Sequence, residues 1–166
     1  MGAASLRVIL VEDELAAREE LKYLLAELHG VEVVGEAGDG RSALRMAVRL
    51  KPDAIFLDIQ IPGPNGLELA RGLRRVLPGL QLIFATAYDE HAVEAFDLAA
   101  TDYLLKPFEA ERVSRALSRV REARALRSAA ELAPEPAEKL AVERRRCTYF
   151  LDPTEIAWIG MEDGLV

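Results

Sequence analysis

Short apolar runs alternate with longer segments of helical period along most of this chain. The run LRVILV (6–11) precedes ELAAREELKYLLAEL (14–28), in which Ala17, Leu21, Leu24, Leu25 and Leu28 line one face. VEVVGEA (31–37) precedes GRSALRMAVRL (40–50), and AIFL (54–57) precedes GLELARGLRRVL (66–77) with Leu69, Ala70, Leu73, Val76 and Leu77 on its stripe. LQLIFA (80–85) precedes EHAVEAFDLA (90–99). DYLL (102–105) precedes EAERVSRALSRVREARALR (109–127), with Val113, Ala116, Leu117 and Val120 in register. Apolar residues three and four apart predict helices that bury one side, and short unbroken apolar runs predict strands buried on both faces. Strand–helix units in strict succession predict an α/β fold, a doubly wound parallel sheet of five strands.

After Arg127 the pattern changes. Residues 128–138, SAAELAPEPAE, are rich in Ala, Pro and Glu and read as a linker. Residues 139–166 regain β-like character without a helical stripe, enough for two or three strands. A hairpin of that size is marginal alone, so this short β-rich C-terminal tail reads as the start of something larger.

Composition narrows the picture. In 166 residues, 51% are hydrophobic and 30% charged, which suits a globular protein with one substantial core and a fragment of a second. The net charge of −7 opposes broad adhesion to nucleic acid or anionic membrane. Cys147 is the single cysteine, so no intramolecular disulfide forms, and a cytoplasmic location is expected. The opening MGAASLRVILVEDE has no basic n-region, and Glu12-Asp13 interrupts its apolar run, so neither a signal peptide nor a membrane span is expected.

Chemistry in a doubly wound sheet gathers at the carboxyl ends of the strands. The first strand here ends in Glu12-Asp13, the third in Asp58, the fourth in Thr86 and the fifth in Lys106-Pro107. If the first and third strands are neighbours, three carboxylates share a pocket that is costly to ionise without a cation. Hard oxygen donors suit Mg²⁺, and Lys106 with Thr86 completes a cradle for a phosphoryl group. Taken singly, each residue has a plainer reading: a helix N-cap, a turn former, a strand-end threonine, a strand terminator. Their common edge is what speaks against all four plain readings together.

The motifs VEDE (11–14), LDIQIPGPNG (57–66), ATA (85–87) and DYLLKPF (102–108) resemble the receiver domain of two-component response regulators, over about residues 5 to 127. The resemblance implies a flavodoxin-like, CheY-like sheet of order 2-1-3-4-5. It further implies that Asp58 is the phosphoacceptor for a sensor histidine kinase, and that Glu12, Asp13, Asp58 and the Gln60 carbonyl hold Mg²⁺. Thr86 and Lys106 would bind phosphoryl oxygens, Pro107 would follow a cis peptide, and Tyr103 would be a switch coupled to Thr86. Gly66 would allow the sharp entry to the third helix, while Gln60 and Tyr88 would affect dephosphorylation rate. Ile61 departs mildly from the Met common at its position.

The stretch 83–108 is similar to receivers joined to LytTR-type DNA-binding domains, and the tail resembles the first strands of such a domain, with Ile156, Trp158 and Ile159 in its core. The expected organisation is a receiver at 1–127, a linker at 128–138 and a partial output domain at 139–166, either truncated or a natural short form. DNA binding would require the complete output domain. The expected function is a phosphorylation-controlled transcriptional switch, not an enzyme beyond its own phosphorylation and dephosphorylation. Two alternatives remain: a receiver-like dimerisation scaffold, and an aspartyl-phosphate phosphatase, which Gln60 disfavours by standing where a second acid is needed. A homodimer is expected through the fourth helix, fifth strand and fifth helix, with Arg112, Arg115 and Arg119 facing Asp89, Glu90, Glu94 and Asp97 across a two-fold axis. The run Arg144-Arg145-Arg146 reads as a solvated turn between strands, and His29 and His91 as surface residues.

Overall fold

A computed structural model of the chain describes residues 5–132, 140–144 and 147–151. The elements follow as β1 (Leu6–Val11), α1 (Leu15–Ala26), β2 (Val31–Ala37), α2 (Gly40–Leu50), β3 (Ala54–Leu57), α3 (Gly66–Val76), β4 (Gln81–Thr86), α4 (Ala92–Asp97), β5 (Asp102–Leu105) and α5 (Ala110–Leu132). The first five strands form one parallel sheet of order β2-β1-β3-β4-β5. Adjacency of β1 and β3, with Val11 opposite Leu57, is what brings the acids that follow each strand together.

Alternate residues of the central strands feed opposite cores. Ile9, Val11, Ile55, Leu57, Leu82 and Phe84 pack with Ala43 and Ala47 of α2, Leu69, Ala70 and Leu73 of α3, and Ala95 of α4. Val8, Leu10, Phe56, Ile83 and Leu104 pack with Leu21 and Leu25 of α1 and Val113, Leu117 and Val120 of α5. Both faces are covered, which is why these runs lack polar alternation. Fully buried side chains such as Phe56, Phe84 and Leu73 each contribute about 1.5–3 kcal/mol of apolar burial.

Local signals fix the helix ends near the sheet's carboxyl edge. The Asp39 carboxylate accepts from Ser42 N at 2.9 Å and starts α2. Asn65 and Glu68 form a reciprocal capping box at α3. The fourth helix is shorter than its periodicity suggests, six residues rather than ten. His91 provides no side-chain cap, only Ala95 is buried, and Ala99 turns left-handed at φ 52°. The fifth helix runs past Arg127 to Leu132, through SAAEL, which contains neither Gly nor Pro.

The chain divides into two compact units, Met1–Leu126 and Arg127–Val166. Within the second, β6 (Leu140–Arg144) and β7 (Cys147–Leu151) pair antiparallel, with Arg144 opposite Cys147. Arg145, Arg146, Ile156, Trp158 and Ile159 lie outside the described residues. Among the described residues, no helix is long and apolar enough to cross a membrane.

Candidate functional site

The carboxyl edge of the sheet collects Glu12, Asp13, Asp58, Thr86 and Lys106. Glu12 N–H donates to the Ala37 carbonyl at 3.0 Å, and Asp58 N–H donates to the Val11 carbonyl at 2.9 Å, so the strand ladder continues through both acids. Glu12 and Asp58 are buried while Asp13 is exposed. One carboxylate oxygen from each of the three lies within 4.8 Å of the others.

Lys106 reaches this group from the end of β5. Its Nζ lies 2.6 Å from Glu12 Oε2 and 3.0 Å from Asp58 Oδ2, and its backbone N–H donates to the Thr86 carbonyl at 2.9 Å. The Lys106–Pro107 peptide is cis. Burial pushes the Glu12 carboxyl above its ordinary range; the Lys106 bond pulls it down, and the Asp58 charge adds to the rise. For Lys106 burial acts to lower the ammonium, but the bonds to Glu12 and Asp58 outweigh it and leave the group raised. One ammonium thus shares two buried carboxylates, with a third acid at the rim.

A hard divalent cation fits this donor set. Three carboxylates converge on one point, and the excess negative charge left beside a single Lys106 is what a cation relieves. The Gln60 backbone stands at the mouth, its N–H 3.3 Å from Asp58 Oδ1. Thr86 is fully buried, and its Oγ1 has no hydrogen-bond partner. A buried hydroxyl left unmatched beside an acidic cluster is a donor available to a bound oxyanion.

The loop after Asp58 is shaped by glycine where no side chain fits. Gly66 N–H donates to the Ile59 carbonyl at 2.8 Å, and a Cβ on Gly66 would collide with the carbonyl oxygen of Asp58. Gly63 takes φ 85°, a left-handed conformation that favours glycine. Pro62 presents its carbonyl to Gly40 N–H at 3.1 Å, joining this loop to the start of α2.

Tyr103 sits one strand away, its ring 6.1 Å from Phe84 and its hydroxyl donating to the Tyr88 carbonyl. Burial, and then the charges of Asp89, Asp58 and Glu90, push its phenol up to about 12. The arginines of α5 find partners inside the chain. Arg112 and Arg119 lie 3.4 and 2.9 Å from the buried Asp102 carboxylate, and Arg115 lies 2.8 Å from Glu111. On α4, Val93 and Phe96 are 73% and 83% exposed. The expected charge exchange therefore competes with existing pairs, and the apolar residues of α4 are the freer surface. His29 is exposed, and His91 lies partly buried within 3.7 and 3.5 Å of Glu90 and Glu94.

Sequence reasoning pointed to Glu12, Asp13, Asp58 and Lys106, which the structure brings together. It missed Arg18, whose Nη1 donates to the Glu12 carbonyl at 2.6 Å, and it missed the Tyr88 carbonyl as the partner of Tyr103. Backbone carbonyl acceptors carry no residue signature, so neither contact has a sequence signal.

A family model for the response regulator receiver domain matches residues 8–118. The sensory transduction protein LytT of Bacillus anthracis is 38% identical over 169 residues, covering 97% of this chain and 68% of that protein. The transcriptional regulatory protein LytR of Staphylococcus aureus is 36% identical over 166 residues, covering 96% and 68%. Among solved structures, the receiver domain of AraT, a response regulator from Geobacillus stearothermophilus, is similar with a TM-score of 0.68 at 35% identity. That match covers 74% of this chain and 98% of the AraT domain. The response regulatory domain of protein mrkE from Klebsiella pneumoniae is similar with a TM-score of 0.64 at 39% identity, covering 75% and 99%.

Proposed function

Since the chain belongs to the response regulator receiver family, we propose that Asp58 accepts a phosphoryl group from the phosphohistidine of a sensor histidine kinase. The observation that carries this reading is the position of Asp58. It is buried at the end of β3, bonded to Lys106 at 3.0 Å and within 4.8 Å of two further carboxylates, on the same sheet edge as Thr86, whose hydroxyl has no partner. A carboxylate oxygen of Asp58 attacks phosphorus, the phosphorus–nitrogen bond of the donor breaks, and the departing imidazole keeps that electron pair.

Glu12, Asp13, Asp58 and the Gln60 carbonyl would hold Mg²⁺, which supplies charge neutralisation for the transferring group. Lys106 then trades its carboxylate contact for a phosphoryl oxygen, and the Thr86 hydroxyl donates to another. Asp58 is 6% exposed while Asp13 and Gln60 beside it are exposed, and the donor would approach from their side. Gln60 is not an acid and cannot supply the proton that efficient turnover of outside phosphoesters requires, which favours a signalling domain over a phosphatase.

Movement of Thr86 toward the phosphoryl group is transmitted through Phe84 and Tyr103 to α4 and β5. There Val93 and Phe96 offer an apolar surface for a second copy, through α4, β5 and α5. Transcriptional control through a LytTR-type output domain is the reading that the names of the LytT and LytR relatives support. DNA reading would reside in such an output domain.

Intact mass and sedimentation with Mg²⁺ and acetyl phosphate test the reading. One phosphoryl per chain, lost in Asp58→Asn and on chelation of Mg²⁺, is the expected result. Labelling that survives Asp58→Asn would sink the assignment. Many equivalents of outside phosphoester hydrolysed would favour the phosphatase, and no Mg²⁺-dependent labelling at all the scaffold.

A further inference from the structure

Arg74 lies in the last turn of α3, and among the described residues its half-buried guanidinium bonds to backbone carbonyls rather than to a carboxylate. Nε donates to the Leu98 carbonyl at 3.1 Å, Nη1 to the Leu80 carbonyl at 3.1 Å, and Nη2 to the Ala99 carbonyl. Leu98 is the C-cap of α4, and Ala99 follows it in the left-handed conformation, where a glycine would ordinarily close a helix. The carbonyls left over at the end of α4 are thus satisfied by a cation from a neighbouring helix, whose charge also suits the negative end of the helix dipole.

Within α4 itself the attachment is otherwise thin, although Leu98 and Ala100 just beyond it pack against the core. Ala95 is its single buried residue, its N-cap has no side-chain bond, and Arg71–Glu94 at 3.5 Å is an exposed pair of small value. The opposite end of α3 is packed against the phosphoacceptor loop: Gly66 rests on the carbonyl of Asp58 and donates to that of Ile59. Between these ends α3 is anchored by the buried Leu69, Ala70 and Leu73. One rigid helix therefore touches the reactive loop at its start and grips α4 at its finish.

We propose that Arg74 is a positioning residue that clamps the C-terminal turn of α4 in its resting place, so that the strength of this clamp sets how readily α4 rearranges when Asp58 is modified. This rests on the switch reading above. A clamp made in the resting arrangement taxes any ligand that needs α4 to move, and releasing it raises that ligand's apparent affinity.

The test uses the full chain with Arg74→Met, which keeps the apolar stem but removes the donors, and Arg74→Lys, which keeps the charge and part of the bonding. Amide hydrogen exchange reads the clamp, and a beryllofluoride titration in Mg²⁺ reads its effect on the site. Arg74→Met is expected to speed exchange across residues 92–101 at least tenfold, with the central strands unchanged, and to lower the beryllofluoride midpoint at least threefold. Arg74→Lys is expected to fall between. Unchanged exchange in α4 overturns the clamp. Faster exchange with an unmoved or raised midpoint overturns the coupling and leaves Arg74 a structural brace. A wild-type chain lacking any beryllofluoride response that Asp58→Asn removes refutes the phosphoacceptor reading instead; the exchange comparison still decides the clamp.

Discussion

At Tyr103 a phenol sits beside Phe84, bonded to the Tyr88 carbonyl and surrounded by the charges of Asp89, Asp58 and Glu90. Its ordinary value of 10.0 is pushed up to about 12. Between those pH values the unfolded chain has released a proton that the folded chain still binds, so stability must fall as pH rises through that window and is unaffected below it. Denaturation measured from pH 9 to 12 is expected to show this decline in wild type and a shallower one in Tyr103→Phe. Equal slopes would remove the assignment. The identity of the residue was visible from DYLLKPF, but the direction of its titration was not, because it depends on burial and on carboxylates from two other segments, Asp58 and Asp89-Glu90.

Between β3 and α4 lies α3, whose start carries a reciprocal capping box. Asn65 accepts from Glu68 N–H at 2.9 Å while Glu68 accepts from Asn65 N–H at 3.1 Å. Removing the cap with Asn65→Ala is expected to cost about 1 kcal/mol in urea unfolding. Glu68→Ala, which removes only the returning half, should cost less. The apolar stripe of α3 is readable in its spacing, whereas its capping box became evident only from the side-chain bonds of Asn65 and Glu68. The fourth helix was less legible. Its ten-residue pattern shrinks to six: at its start His91 gives no side-chain cap, and at its finish Ala99 turns left-handed beside the Leu98 carbonyl that a distant arginine bonds.

For the molecule as a whole, association belongs to the surface rather than the pocket. Phe96→Glu is expected to abolish a phosphodonor-induced dimer in sedimentation velocity while labelling at Asp58 continues at the wild-type level. A dimer that persists would place the interface elsewhere, away from α4. Since Arg112, Arg115 and Arg119 already hold Asp102 and Glu111, charge exchange across a two-fold axis must first break pairs within each copy.

Sequence alone determined the order of strands and helices, because a strand buried on both faces must be apolar throughout and a helix packed on a sheet must repeat every three to four residues. It also named Glu12, Asp13, Asp58, Thr86 and Lys106, since each falls where a strand gives out. Tertiary structure decided what those residues do to one another. Only the adjacency of β1 to β3 and of β4 to β5 sets Lys106 between Glu12 and Asp58, leaves Thr86 Oγ1 unmatched, and lets Arg74 reach the carbonyls of Leu98 and Ala99. The Arg74 contacts join residues 24 and 25 positions apart and end on backbone oxygens, which every residue possesses, so no pattern of residue types along the chain announces them.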